Sequence, residues 1–247
     1  MEELRWWSRL MLVSAIVALL LLLAGPLGYK FEISPLQQSL VSLLIALVIS
    51  ILVFVVALVM AVVSNSKGLT RNRNLVLISL ALSLVPLVIM VPQMAKGTSV
   101  PPIHDITTDT ADPPAFFAAV PLRTNAPNDL VYGMEQIPPE EMARMQAAAY
   151  PNVKPLQSSL TVDAAVARAA EVLSDQGLEV INIDPPAGIV EAVATTFWFG
   201  FKDDLVVRVR PSGAGSVIDV RSVSRVGQSD VGANAARIER FLAAFQD

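Results

Sequence analysis

At 247 residues, 53% hydrophobic and 16% charged, the chain is too apolar to be an ordinary soluble domain. Its net charge is −4, and the part after residue 97 holds 11 basic against 19 acidic residues, which argues against a nucleic-acid partner because phosphate must be neutralised by cations. Cysteine is absent, which excludes disulfide frameworks, thiol chemistry and cysteine-ligated metal.

The apolar excess lies at the front. Residues 10–29, 39–63 and 74–95 are uncharged runs, each long enough to cross a hydrocarbon core of roughly 30 Å as a helix. Trp6 and Trp7 flank the first run at one end, and Tyr29 and Phe31 at the other, as an aromatic belt would. The loop 64–73 carries Lys67, Arg71 and Arg73 without an acid, so it is predicted to be cytoplasmic. Arg5 and Arg9 place the amino terminus on that side, and three crossings put everything after Lys96 outside the cytoplasm. Glu2 and Glu3, with Pro26 where a cleavage site would fall, favour an uncleaved span over a signal peptide. Ion paths usually need intramembrane polar groups, so these spans read as an anchor. A transport component is the alternative, with Pro86 and Pro92 as candidate kinks in the third helix.

Residues 97–155 form an acidic, proline-rich connecting strap. Asp112-Pro113-Pro114 predicts a short helix with Asp112 as N-cap, and Pro138-Pro139-Glu140-Glu141 predicts another over 142–149. Residues 156–247 then read as an α+β domain. Residues 161–176 have helical periodicity and 178–183 alternate like a strand. Further strands are predicted over 189–200, 204–210 and 216–225, with 200–204 and 212–215 as turns. In this pattern Phe197, Phe199 and Phe201 share one face, with Leu205, Val207, Val209, Ile218 and Val220 pointing into the core. The glycine-marked corner 226–230 leads to a closing helix over 231–246; in the corner Gly227 can take a positive φ, Ser229 or Asp230 caps, and Arg225 can bond Asp230 or a nearby carbonyl. The fold class expected is a three-helix membrane anchor plus an α+β domain: an antiparallel meander covered on its aromatic face by two helices, helix-grip-like.

Two groups of side chains carry candidate chemistry. Trp198, Arg208, Arg210, Arg221 and Arg225 fall on the opposite face of the sheet and would suit an anionic ligand. The competing reading pairs Asp219 across the strands and lays the acidic strap around Asp105 and Asp109 over the arginines. His104, the sole histidine, lies beside Asp105 and near Asp109, a set that could bind a divalent metal or act as a general base. Asx-turns or arginine pairing explain the same acids, and no two-histidine spacing accompanies them. No cofactor is expected.

Residues 195–204 (Thr-Thr-Phe-Trp-Phe-Gly-Phe-Lys-Asp-Asp), residues 221–238 from Arg221-Ser222-Val223-Ser224-Arg225-Val226-Gly227 onward, and His104-Asp105-Ile106-Thr107-Thr108-Asp109 resemble the bacterial domain-of-unknown-function family 1499 over about residues 100–246. The resemblance implies a domain of bacterial envelopes and related plastid membranes, with no established activity or catalytic residues to carry over. The expected location is the bacterial inner (plasma) membrane, with the domain periplasmic or otherwise extracytoplasmic. The leading functional expectation is a non-enzymatic module that binds a partner protein, a lipid or another amphipathic ligand. A metal-dependent or His/Asp-based hydrolase of the envelope is the alternative.

Overall fold

The structure is a computed structural model that describes residues 3–134 and 136–246; Glu2 lies outside the described residues. It divides into two compact units, Met1–Lys96 with Trp198–Gly200, and Gly97–Phe197 with Phe201–Asp247.

The first unit holds three helices long and apolar enough to cross a membrane, α1 (Trp6–Lys30), α2 (Leu36–Ser66) and α3 (Thr70–Ser99), as a multi-pass membrane protein requires. Each extends beyond its predicted apolar run, because polar and aromatic residues at the interfaces continue the helix. Small residues let α1 and α2 approach closely. A Cβ added at Gly25 would lie 2.7 Å from the Ser39 carbonyl oxygen, and Ser42 Oγ donates to the Leu21 carbonyl at 2.9 Å. At the other end Asn72 of α3 accepts from Ser8 Oγ at 2.8 Å and donates to the Glu3 carbonyl at 3.1 Å. Pro86 and Pro92 both lie inside α3.

The second unit is built on a six-stranded antiparallel sheet of β1 (Asp105–Thr107), β2 (Leu156–Ser158), β3 (Glu179–Asp184), β4 (Ile189–Thr195), β5 (Lys202–Ser212) and β6 (Gly215–Ser224). The order is β1-β6-β5-β4-β3. β2 also pairs with β6, so β1 and β2 lie end to end along one edge. The helices of this unit are α4 (Pro139–Ala149), α5 (Val162–Asp175) and α6 (Ala233–Gln246), with a 3-10 helix at Val120–Arg123. Thr161 caps α5 through Oγ1, and Gly177, at φ +77, closes it. Gly215 sits where no side chain fits: a Cβ there would lie 2.1 Å from the Ser158 carbonyl oxygen across the β2–β6 pairing.

The period-two pattern divides the interior. Val190, Ala192, Leu205, Val207, Val209, Ile218 and Val220 form one buried cluster with Val166, Ala169 and Leu173 of α5 and Ile238, Phe241 and Phe245 of α6. Ile189, Val206 and Val223, of opposite parity, cluster instead with Phe116, Ala119 and Leu130 of the strap. The sheet therefore has apolar partners on both faces.

Four local expectations are corrected. β4 stops at Thr195, and 196–201 is a loop, so Phe197, Phe199 and Phe201 line no strand face. Thr196 closes this loop: its N–H donates to the Phe201 carbonyl and its Oγ1 accepts from Phe201 N–H. Asp203, read as a turn residue, and Asp204, read as the junction of turn and strand, are both buried strand residues of β5, which begins at Lys202. No helix follows Asp112; the chain turns there and becomes helical only at Val120. The closing helix begins at Ala233 rather than 231, because Val231 (φ +54) and Gly232 (φ +75) take left-handed turns.

Candidate functional site

The register sets Arg208 directly opposite Asp219, and Val206 opposite Arg221, on the strap-facing side of the sheet. Asp219 is fully buried, and its Oδ2 accepts from Arg208 at 3.1 and 3.3 Å and from Arg210 at 2.7 and 3.0 Å. Its Oδ1 is buried without a hydrogen-bond partner among the described residues. Asp109 and Asp112 lie over the same arginines. Asp109 Oδ2 accepts from Arg208 and Arg210, and Arg208 Nη1 donates to Asp112 Oδ2 at 2.9 Å. Asp109 Oδ1 meanwhile receives the N–H groups of Ala111 and Asp112, an Asx-turn that folds the strap back onto the sheet.

Arg221 is the most enclosed of the group. It forms a bidentate pair with Asp105 at 2.7 and 2.9 Å, donates to the carbonyls of Pro114 and Leu130, and has the Phe116 and Tyr132 rings 5.4 and 5.7 Å from its guanidinium carbon. Burial pushes the Asp105 carboxyl above its ordinary value, outweighing the lowering by Arg221.

Near the start of β5, Asp204 takes both Arg123 and Arg225. Arg225 also donates to the Leu122 carbonyl, and therefore reaches the strap rather than Asp230. Asp203 pairs with Arg237 of α6, which joins Asn234 and Ser222 in a buried polar network; Asn234 Nδ2 holds the His104 carbonyl at 2.9 Å. Asp230 caps α6 through the N–H groups of Gly232 and Asn234, and burial raises its carboxyl above the ordinary value.

Glu191 fills a further polar position. It is fully buried in β4, and its carboxylate receives the backbone N–H groups of Phe117 at 2.7 Å and Ala118 at 2.6 Å, with Asn182 Nδ2 at 3.3 Å. The sequence carried a signal for it: an acid inside Ile189-Val190-Glu191-Ala192-Val193, an otherwise apolar run. The burial of Asp203, Asp204 and Arg237 had no comparable local signal.

A cavity of about 760 Å³ opens between the start of the sheet and the strap before α4. His104, Asn128, Asp129, Tyr132 and Gln228 supply its polar lining, and Val131, Met134 and Ile137 its apolar lining. His104 is buried, with its ring Nδ1 3.4 Å from the Gln228 carbonyl oxygen. The Tyr132 hydroxyl is buried and has no hydrogen-bond partner among the described residues; burial first, and then the Asp105 charge, push it above the usual phenol range.

The sequence-derived sets thus separate. Arg208, Arg210 and Arg221 share one face under the strap, Arg225 lies at its end, and Trp198 stands in the loop beyond it. His104 lines the cavity, whereas Asp105 faces Arg221 and Asp109 faces Arg208 and Arg210. Among the described residues no three His, Asp or Glu side chains are grouped to hold a metal ion. Tyr132 and Glu191 are the site-forming residues that sequence reasoning missed.

No curated protein matches the chain. The family model described as "Protein of unknown function (DUF1499)" matches residues 105–245, the span of the sheet and the ion-paired strap. The match covers more than half of the sequence, and the chain belongs to the DUF1499 family.

Proposed function

We propose that the protein is a membrane-anchored binding module whose extracytoplasmic domain holds a small amphipathic ligand in the His104–Tyr132 cavity without transforming it. The observation that carries this reading is the cavity itself. At about 760 Å³ it lies in the range of small-molecule sites, and it combines an apolar wall with a few polar groups, one of them an unpartnered buried hydroxyl. The arginine face supports the same choice indirectly, since Arg208, Arg210, Arg221 and Arg225 are each engaged by carboxylates of the chain itself. Three apolar helices, charged only near their ends, suit an anchor that keeps such a module at the bilayer.

The test is native mass spectrometry of the full chain released from lipid nanodiscs, compared with Val131→Trp. Val131 is exposed at the cavity wall, so the indole fills the space without disturbing the core. The expected result is an added mass of an amphiphile on the wild type that is lost from the variant. A bare wild-type mass, or an added mass that survives Val131→Trp, refutes the reading.

A further inference from the structure

We propose that β3 is a docking edge: its outer side takes an extended, basic segment of a partner protein as an added antiparallel strand. The first observation is that the two edges of the sheet are finished differently. At the β1 edge, buried Gln146 of α4 stands in for a strand. Its Oε1 accepts from the Thr107 N–H at 3.0 Å and its Nε2 donates to the Thr107 carbonyl at 2.7 Å. β3 ends the sheet on the other side and pairs only with β4. Among the described residues its backbone makes no hydrogen bond outside that ladder. Its outer N–H and C=O groups are therefore open to a further strand.

The second observation is charge. Between Arg168 and Lys202 the chain has no basic residue, whereas Glu171, Asp175, Glu179, Asp184 and Glu191 fall in that interval. Glu171 pairs with Arg168 and Glu191 is enclosed by backbone N–H groups, but Asp175, Glu179 and Asp184 have no ion pair among the described residues. Glu179 and Asp184 pair with Val193 and Ile189, four residues apart on β4, so both carboxylates project to the strap side, one at each end of the edge. Val180 and Ile183, opposite Ala192 and Val190, project to the other side, and Ile183 is 52% exposed. A strand that alternates basic and apolar residues satisfies both sides at once, since opposite charges and apolar pairs are the favourable cross-strand neighbours. Phe117 widens the contact. Its N–H donates to Glu191, whose carboxylate also accepts from Asn182 of β3, and its side chain is 61% exposed.

The same acids select the occupant. In a second copy paired antiparallel about the middle of β3, Glu179 of each chain would face Asp184 of the other, a like-charge pairing that opposes association. The bulge between Val180 and Asn182 also disrupts symmetric self-pairing. These devices guard the edge against its own kind and leave it open to a strand of opposite charge.

The test uses the full chain in phosphatidylcholine nanodiscs, whose lipid carries no net charge, with empty nanodiscs as the blank. The probe is a fluorescein-labelled peptide alternating lysine and valine over about eight residues, a long strand's length, with binding read by anisotropy. It should bind at least about tenfold more tightly than a peptide alternating glutamate and valine, and than the lysine peptide N-methylated along its backbone, which keeps the charge but loses the ladder bonds. Glu179→Lys/Ile183→Lys, two changes at exposed positions, should weaken binding at least about tenfold and leave the far-ultraviolet circular dichroism unchanged. Glu179→Gln, which touches no core, should weaken binding and lower its salt dependence. Failure to bind, equal binding of the N-methylated peptide, or binding untouched by both variants overturns the proposal. A dimer of the full chain that the double variant converts to monomer also overturns it, because the occupant is then a second copy.

Discussion

The Asp105–Arg221 pair offers the sharpest test of how this domain is held together. Both side chains are almost wholly buried, at 1% and 4% exposure, and Asp105→Asn would leave a guanidinium in the interior with two carbonyls and two aromatic rings but no counter-charge. Removing one partner of a buried pair costs about 3–5 kcal/mol, most of it from the charge left behind. For a unit of this size that corresponds to a fall in Tm of roughly 10 °C. Arg210 provides the internal contrast, because its side chain is 42% exposed; Arg210→Met is expected to cost less than about 1 kcal/mol. The assay is urea unfolding of the full chain in detergent, followed by near-ultraviolet circular dichroism. It is extended to the double variant Asp105→Leu/Arg221→Met, which should recover part of the loss of either single change. A loss below about 1 kcal/mol for Asp105→Asn, or equal losses for it and Arg210→Met, would refute the reasoning that burial makes this pair costlier to break than the exposed one.

Three further outcomes are expected. Glu191→Gln should cost about 2 kcal/mol by weakening charge-assisted bonds, and in hydrogen exchange the amides of Phe117 and Ala118 should lose protection while those of β5 keep theirs; unchanged exchange at 117 and 118 would remove Glu191 from this role. The Tyr150 hydroxyl is buried without a partner among the described residues, and burial followed by the Asp230 and Glu239 charges pushes it up to about 12. The native state thus keeps a proton that the unfolded state releases near 10, so stability should fall as pH rises from 10 to about 12; Tyr150→Phe should flatten that fall and leave neutral-pH stability unchanged or raised, as unfolding measured across this range would reveal. Finally, Ala214→Cys should react with a membrane-impermeant maleimide in intact cells if the domain is extracytoplasmic; labelling only after permeabilisation would invert the orientation read from Lys67, Arg71 and Arg73.

What the sequence disclosed follows from where local rules suffice. The three spans, the parity of Leu205, Val207 and Val209 against Arg208 and Arg210, and the capped start of α5 all depend on spacing within one segment. The errors lie where a residue's partner is distant. Asp203-Asp204 after a glycine has turn chemistry, yet these acids are strand residues because Arg237, Arg123 and Arg225 arrive from other elements to neutralise them. Phe197 to Phe201 alternate as a strand would, but no neighbouring strand pairs with that stretch, and the same pattern closes into a loop. The cavity was illegible for a similar reason, since its walls come from residues near 104, 128–139 and 228.

The position of β1 also governs when the domain can form. Its few residues emerge first after the last membrane helix, yet their ladder partner is β6, the Asp105 carboxylate waits for a guanidinium 116 residues later, and the His104 carbonyl waits for an amide 130 residues later. Contacts of such long sequence separation form late and slowly. Synthesis therefore delivers the strap well before the residues that fasten it, and its acids and prolines keep the unattached segment solvated in that interval. A chain truncated before β6 would leave β1 without its ladder partner, Asp105 without Arg221, and Asp203 without Arg237, so the domain cannot close until its carboxyl-terminal part has been made.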